Sequence, residues 1–485
     1  MPDSEAPPLN SPTIDKLPQE DDGIVPSLWS EIRASLRGAH RDYTKGPIGR
    51  AIILLAIPMV LEMCMESVFA VVDIFWVAHL GADAVATVAL TESMLTLMYA
   101  VAIGLGIGAT AMVARRIGEK NPEGAARAAV QAIALGIIVS VVVAILGVSF
   151  ADKLLALMGA SPWVLEHGAW FTKIMFAGNA TIMLLFLINA IFRGAGDAAI
   201  AMRVLWMANA LNILLGPCFI FGLGPFPEMG VAGAAVATTI GRGMGVVYAL
   251  SKLIRSGGRF DIRRRHLTFE PAIMGSLIRL SSTATFQVFI GMASWIGLIR
   301  TISTFGSNAL AGYAIGIRVI IFALLPSWGM ANAAATLVGQ ALGAGKPDRA
   351  ERAVWRAAFY NMICLGIVGL AFVVFARPII HLFTDDPNVV PYGVDCLRIV
   401  AYGFVFYAYG MVLTQSFNGA GDTWTPTIIN LFVFWMWELP LAYVLAKVFG
   451  IGPRGVFLAI MIAFSTLAVI SAIVFRRGRW KTRVV

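Results

Sequence analysis

RAIILLAIPMVLEMCMESVFAVVDIFWV, residues Arg50–Val77, reads as a helix built for lipid. From Ala51 to Leu61 it carries no charge, and its length exceeds the roughly 20 apolar residues that a membrane crossing needs. Apolar and polar residues do not alternate as they would in a barrel strand. Three acids interrupt the run: Glu62, Glu66 and Asp73. At about 100° per residue, Glu66 lies about 40° and Asp73 about 20° from Glu62 around the helix axis. One stripe therefore carries all three. An acid at the bilayer centre costs roughly 2.5–3.5 kcal/mol on insertion scales, so the stripe should face water or a binding cavity. Carboxylates grouped there can share a proton or a cation such as Na⁺. Pro58, just upstream, removes one helix hydrogen bond and supplies a bending point.

The rest of the chain follows suit. Of 485 residues, 58% are hydrophobic and 13% charged, about half the charge of a soluble domain. That excludes a soluble enzyme, a disordered scaffold and a secreted disulfide domain. Twelve apolar runs appear, near 50–77, 84–114, 125–150, 162–193, 200–222, 230–256, 271–303, 307–341, 351–376, 388–417, 424–448 and 454–476. Several exceed the minimum, which predicts tilted or kinked spans. The expected fold class is an all-α integral membrane protein with twelve transmembrane helices. Cys64, Cys218, Cys364 and Cys396 have no metal or disulfide spacing and read as packing residues.

Residues 1–46 are polar and Pro-rich, with an acidic patch at Glu20–Asp22. They lack the basic start and apolar run of a signal peptide and read as a flexible cytoplasmic tail with a short amphipathic helix at Leu28–Leu36. The net charge of +9 reflects loop bias rather than nucleic-acid binding. With the N-terminus inside, the cytoplasmic connections hold Arg115, Arg116, Lys120, Arg193, Arg203, Lys252–Arg265, Lys346, Arg349 and the tail from Arg476. The opposite side holds few: Lys153, Arg300, Arg377, Lys447 and Arg454. Both termini are expected in the cytoplasm, in the cell's inner membrane.

The chain is a tandem repeat. Gly81-Ala-Asp-Ala-Val-Ala answers Gly306-Ser-Asn-Ala-Leu-Ala, Val113-Ala-Arg-Arg-Ile-Gly118 answers Val338-Gly-Gln-Ala-Leu-Gly343, and Gly194-Ala-Gly-Asp197 answers Gly419-Ala-Gly-Asp422, all at an offset of 225 residues. Six spans per repeat is an even number, so the halves insert the same way up, related by a pseudo-two-fold along the membrane normal. The expected divisions are a tail (1–46), a six-helix lobe (47–256), a basic linker (257–270), a second six-helix lobe (271–476) and a basic tail (477–485). Two bundles around a cleft suit alternating access.

Uncharged oxygens accompany the acids: Asn179 and Asn189 in the fourth span, Asn209 and Asn212 in the fifth, Thr238 in the sixth. With Asp73, Glu62 and Glu66 they are the candidate ion-coupling residues. Glu92, Arg318 and Glu438 are further intramembrane charges and candidates for the substrate cavity. At the repeat offset Glu62, Glu66, Asp73 and Glu92 correspond to Gln287, Gly291, Leu298 and Ile317, so the acids concentrate in the first half and favour cationic substrates. There is no Walker A motif and the five His have no metal-ligand spacing, so neither an enzyme, a cofactor nor a resident metal is expected. Asp197 and Asp422 read as turn residues capping the next helix.

Val72-Asp73 followed by Gly81, Arg115-Arg116-Ile-Gly118, Arg193-Gly-Ala-Gly-Asp197, Val338-Gly-Gln340 with Gly343, Asn418-Gly-Ala-Gly-Asp422 and Pro440-Leu-Ala-Tyr443 resemble the multidrug and toxic compound extrusion (MATE) family. The resemblance spans residues 50–476. It implies two six-helix lobes around a central cavity and export of drugs or toxic metabolites driven by inward H⁺ or Na⁺. Asp73 matches the family's first-helix acid, Pro58 its bending proline and Asn212 the fifth-helix Asn of its proton site. Where the family often has an Asp four residues later, this chain has Gly216, so Glu62 or Glu66 is expected to supply the second carboxylate. The second half has no acid inside its seventh or eighth span, and only Asp395 near the start of its tenth, which tilts the coupling ion toward H⁺. The partners expected are a small-molecule substrate and membrane lipid, with no nucleic acid, for a monomer. A flippase for a lipid-linked substrate is the alternative, and a non-transporting receptor leaves the acid stripe unexplained.

Overall fold

Long apolar runs in lipid must satisfy every backbone group internally, so they become helices. The computed structural model describes residues 28–38, 41–255 and 258–483, and among these there is no strand. A short helix α1 (Leu28–Leu36) precedes α2 (Ile48–Ala78), α3 (Ala82–Gly118) and α4 (Pro122–Leu157). The fourth span is α5 (Ala169–Ala177) plus α6 (Asn179–Ala195), followed by α7 (Ala198–Phe221) and α8 (Val231–Ile254). The second repeat holds α9 (Pro271–Ser303), α10 (Ser307–Gly343), α11 (Pro347–His381), α12 (Val390–Ala401) with α13 (Phe404–Gly419), α14 (Trp424–Asn430), α15 (Leu439–Tyr443) and α16 (Pro453–Arg476). Wide π-turns at Leu431–Glu438 join α14 to α15, and others at Val444–Val448 carry the same span on beyond α15. Among the described residues ten helices are long and apolar enough to cross a membrane, or up to twelve spans when each bent pair counts as one.

The repeat is visible in the backbone itself. The fourth span of each half breaks at a glycine, Gly178 or Gly403, 225 residues apart, with bends of 40° and 58°. Pro122 and Pro347 start α4 and α11 at the same offset, where a missing N–H costs nothing. Lys120 (φ 57°) takes a left-handed conformation where its mate Gly345 (φ 68°) does so freely.

Each repeat packs as a lobe, and the lobes join by exchanged pairs: α2 lies against α10, and α9 against α3. The first turns of α2 enter the second lobe's core, where Ile52, Leu55 and Met59 belong to the same buried cluster as Leu337 and Val338. The contact on the pseudo-two-fold lies between α3 and α10. A Cβ on Gly118 would overlap the Gln340 carbonyl, and one on Gly343 would overlap the Arg115 carbonyl. Those contacts are the same contact seen from each repeat, because 118 pairs with 343 and 115 with 340. Thr336 Oγ1 donates to the Arg193 carbonyl (3.1 Å) and Gln340 Nε2 to the Gly194 carbonyl (3.0 Å), closing the lobes at this end. It is the end that carries the Arg- and Lys-rich connections.

The N-terminal helix falls where the sequence places it, Leu28–Leu36, but it and residues 41–46 are docked rather than flexible. Residues 1–27, including the acidic patch, lie outside the described residues. Pro58 has no N–H for the Leu54 carbonyl four residues back, and Ser35 Oγ of α1 donates to that carbonyl instead, at 2.6 Å. Glu31, 5% exposed, is paired with Arg41 (3.1 Å) and Arg50 (3.6 Å). Arg349 of α11 donates to the Tyr43 and Gly46 carbonyls and Lys346 to that of Thr44. Arg259, after the first lobe, donates to the Arg41 carbonyl and lies 5.1 Å from the Tyr43 ring centre. The strap thus touches both lobes. Ser35→Ala strands a buried carbonyl at a cost of about 1–2 kcal/mol, so hydrogen exchange in α1 should rise about tenfold, while Ser35→Thr keeps the hydroxyl and the protection. Unchanged exchange in Ser35→Ala would mean that the bond does not hold the helix down.

The connection between the lobes is also pinned. His266 of the linker is buried and lies 2.6 Å from Glu123 at the start of α4, with Arg265 paired to the same carboxylate. Asp197 departs from the capping role read from sequence. It makes no side-chain cap and instead accepts from the Arg259 backbone N–H at 2.8 Å, whereas Asp422 accepts from the Thr425 hydroxyl at 2.7 Å.

Candidate functional site

The acid stripe of α2 points between the lobes. Glu62 and Glu66 line a cavity of about 240 Å³ together with Ile103, Gly106 and Thr110 of α3 and Phe186, Asn189 and Arg193 of α6. The second lobe supplies Trp328 and Asn332 from α10 and Gln415 and Asn418 from α13. The exposed wall is mainly apolar, with Phe186 and Trp328 as its aromatic members, while polar groups enter from both lobes: Glu62, Glu66, Asn189 and Arg193 from the first, Asn332, Gln415 and Asn418 from the second.

Glu62 is 1% exposed. Its Oε1 accepts from Arg193 Nη1 at 2.7 Å and from Asn189 Nδ2 at 3.4 Å, while Oε2 has no partner. Asn189 and Arg193 are one turn apart on α6, so one face of that helix receives the carboxylate. Glu66 Oε2 accepts from Asn209 Nδ2 at 3.1 Å. Asn212 Nδ2, one turn on, donates to Thr238 Oγ1 at 2.8 Å. The structure therefore groups Glu62 with Asn189, Glu66 with Asn209 and Asn212 with Thr238.

Asp73 lies three turns farther along α2, half-buried, and no hydrogen bond or ion pair reaches it among the described residues. A Cβ on Gly216 would sit 3.7 Å from the Trp76 ring, one turn beyond Asp73. Opposite this region stands a cation that the span-by-span reading missed. Arg242, 6% exposed in the middle of α8, donates to the Tyr99 hydroxyl at 3.2 Å and lies 5.6 Å from the Phe69 ring centre. Asp73, Glu66 and Glu92 all act electrostatically on this guanidinium. An arginine centred in Val231–Ile254 was the available signal, since a charge at that depth demands partners. Arg193 was legible only as a basic span end; its reach to Glu62 needs the packing of α6 on α2.

Asp73, Asn209, Asn212 and Thr238 lie outside the cavity lining, and so do four further proposed positions. Glu92 precedes the cavity-lining part of α3 by ten residues, about 15 Å of helix, and lies within electrostatic reach of Arg242. Arg318 is exposed on α10, not buried beside the acids. Glu438, 2% exposed, sits in the second lobe's π-turn with Oε2 unpartnered, and does not line the cavity. Asn179 repairs the break in the fourth span: its amide donates to the carbonyls of Ser140 (3.1 Å) and Phe176 (2.5 Å). Spacing alone cannot tell a polar residue that faces a cavity from one that mends a helix. No cluster of metal-binding side chains is present among the described residues.

A sequence profile of the MatE family matches residues 58–218 and 281–444, the corresponding part of each repeat. The chain belongs to the MatE family. It is a multi-pass membrane transporter of that family, with the twelve-span, two-lobe fold. Among MatE relatives it is 27% identical over 439 residues to the "Probable multidrug resistance protein NorM" of Thermotoga maritima, covering 90% of this chain and 94% of that one. It is 24% identical over 421 residues to a "FAD transporter" of Shewanella oneidensis, covering 86% and 92%. The solved structure described as "Outward-facing conformation of a multidrug resistance MATE family transporter of the MOP superfamily" superposes with a TM-score of 0.85 at 27% identity, covering 91% of this chain and 98% of that one.

Proposed function

We propose that this MatE transporter is a secondary active antiporter that exports amphipathic cations in exchange for inward H⁺, by alternating access. The observation that carries it is the pair Glu62 and Glu66 facing an aromatic cavity shared by both lobes. Carboxylates among Phe186, Trp328 and Met63 suit an organic cation, which gains both Coulomb attraction and aromatic contact. An anionic dinucleotide such as FAD would meet the same carboxylates unfavourably. The asymmetry of partners favours Glu66 over Glu62 as the proton-exchanging group near the cavity. Glu62 is committed to Arg193 by a direct ion pair, while the hydrogen bond to Glu66 comes from a neutral amide. Asp73, with no bonded partner, is the second exchanging carboxylate, and Pro58 the point where α2 bends. The basic end faces the cytoplasm of the inner membrane, both termini inside, and the protein works as a monomer.

Everted vesicles given a pH gradient or a Na⁺ gradient separately test this, with a cationic dye as substrate. Transport driven by the pH gradient alone, lost in Asp73→Asn, is the expected result. A strict Na⁺ requirement would overturn proton coupling. Full coupled transport in Glu62→Gln/Glu66→Gln would remove the α2 glutamates from the mechanism. Movement of a lipid-linked substrate with neither gradient would favour a flippase.

A further inference from the structure

Two grooves at the basic end are mates in the repeat. The first lies over Leu54 and Pro58 of α2 and Gly196–Ile200 at the start of α7. The second lies over Arg279 and Thr283 of α9 and Gly421–Trp424 at the start of α14. Leu54 and Arg279, Pro58 and Thr283, Asp197 and Asp422, and Ala199 and Trp424 are each 225 residues apart. In both grooves the aspartate is held by an arginine that follows the lobe's last span, Arg259 at 3.7 Å from Asp197 and Arg483 at 3.3 Å from Asp422.

Their contents differ. Ser35, Gly38 and Tyr43 of the N-terminal segment fill the first and leave about 10 Å³. The second is open, with about 770 Å³. The filled groove presents Leu54, Pro58 and Ala199 to its plug. The open one presents three guanidinium groups, Arg279, Arg479 and Arg483, against the single carboxylate of Asp422. Arg279 and Arg479 are exposed, and neither side chain has an acidic partner or hydrogen bond among the described residues. Trp424 stands at the rim, 58% exposed, as tryptophans do at the level of lipid headgroups. Along the same helix faces follow Phe286 on α9, 48% exposed, and Ile428 on α14, 50% exposed.

We infer that the open groove binds the phosphate of an anionic phospholipid headgroup. Arg279 and Arg479 take the phosphate oxygens, and the acyl chains run along Phe286 and Ile428. Basic pockets between spans are suited to such headgroups, because two unneutralised guanidinium groups gain a multiply hydrogen-bonded anion without leaving the interface. Free phosphate offers the same oxygens but nothing for the apolar track. The N-terminal segment performs in protein what the lipid performs in the second lobe: it fills the groove between the lobe's first and fifth spans.

The test is native mass spectrometry of the full chain in mild detergent, titrated with dioleoyl phosphatidylglycerol and with dioleoyl phosphatidylcholine. Phosphatidylglycerol should bind at least about tenfold more tightly, and Arg279→Gln/Arg479→Gln should lose about that factor. Arg255→Gln/Arg264→Gln, an equal loss of charge elsewhere at the same end, should keep wild-type binding. Melting in detergent without lipid separates a folding defect from a binding defect. Equal binding by Arg279→Gln/Arg479→Gln and wild type, or an equal loss in the Arg255/Arg264 variant, would overturn the site. Displacement of the lipid by millimolar inorganic phosphate would overturn the lipid as its occupant.

Discussion

Glu62→Gln is expected to be the most damaging single change in the cavity, and for a reason unrelated to substrate. It leaves the Arg193 guanidinium, only 13% exposed, without its counter-charge. Breaking a buried pair by removing one member costs about 3–5 kcal/mol, because the surviving charge remains desolvated. Purified Glu62→Gln should therefore melt well below wild type. Removing both charges in Glu62→Gln/Arg193→Gln eliminates that penalty, so the double variant should recover most of the stability and the two losses should be strongly non-additive. Transport by the double variant should remain poor, since the cavity has lost one of its two carboxylates. A Glu62→Gln protein as stable as wild type would show that the pair at 2.7 Å does not persist in the membrane.

The second large effect concerns the lobe contact. Gly118→Leu places a side chain where the Gln340 backbone lies, and Gly343→Leu does the same against Arg115. Backbone cannot yield as a flexible side chain can, so the lobes must part at the basic end. Alternating access requires that contact to form and break, and a variant that cannot form it is held open there. Transport should fall by at least about tenfold, which a shift of about 1.4 kcal/mol in the conformational equilibrium already produces. A cysteine at Thr336, placed in a chain freed of Cys64, Cys218, Cys364 and Cys396, should label faster from the basic side in Gly118→Leu than in its absence. Wild-type transport by either leucine variant would mean that the contact is not part of the cycle.

The acids and the repeat were legible in the residues because both are local facts. Three carboxylates at helical spacing share a stripe whatever surrounds them, and an offset of 225 survives any packing. The repeat also marked, without showing why, the contact on the pseudo-axis. The motifs Val113–Gly118 and Val338–Gly343 look alike in sequence because they touch across that axis.

What tertiary structure alone decided is which polar groups meet. Asn179 and Asn189 look equivalent along the fourth span, yet one mends the break at Gly178 and the other reaches Glu62. Arg193 reads as one more basic loop residue until α6 packs on α2. Ser35 carries no motif, and its role exists only because Pro58, twenty-three residues away, frees the Leu54 carbonyl. Composition and periodicity fix which surfaces prefer lipid, since that depends on the side chains of one helix. Pairings between charges and hydrogen-bonding groups depend on the rotation and depth of two helices at once, and only the packed lobes set those.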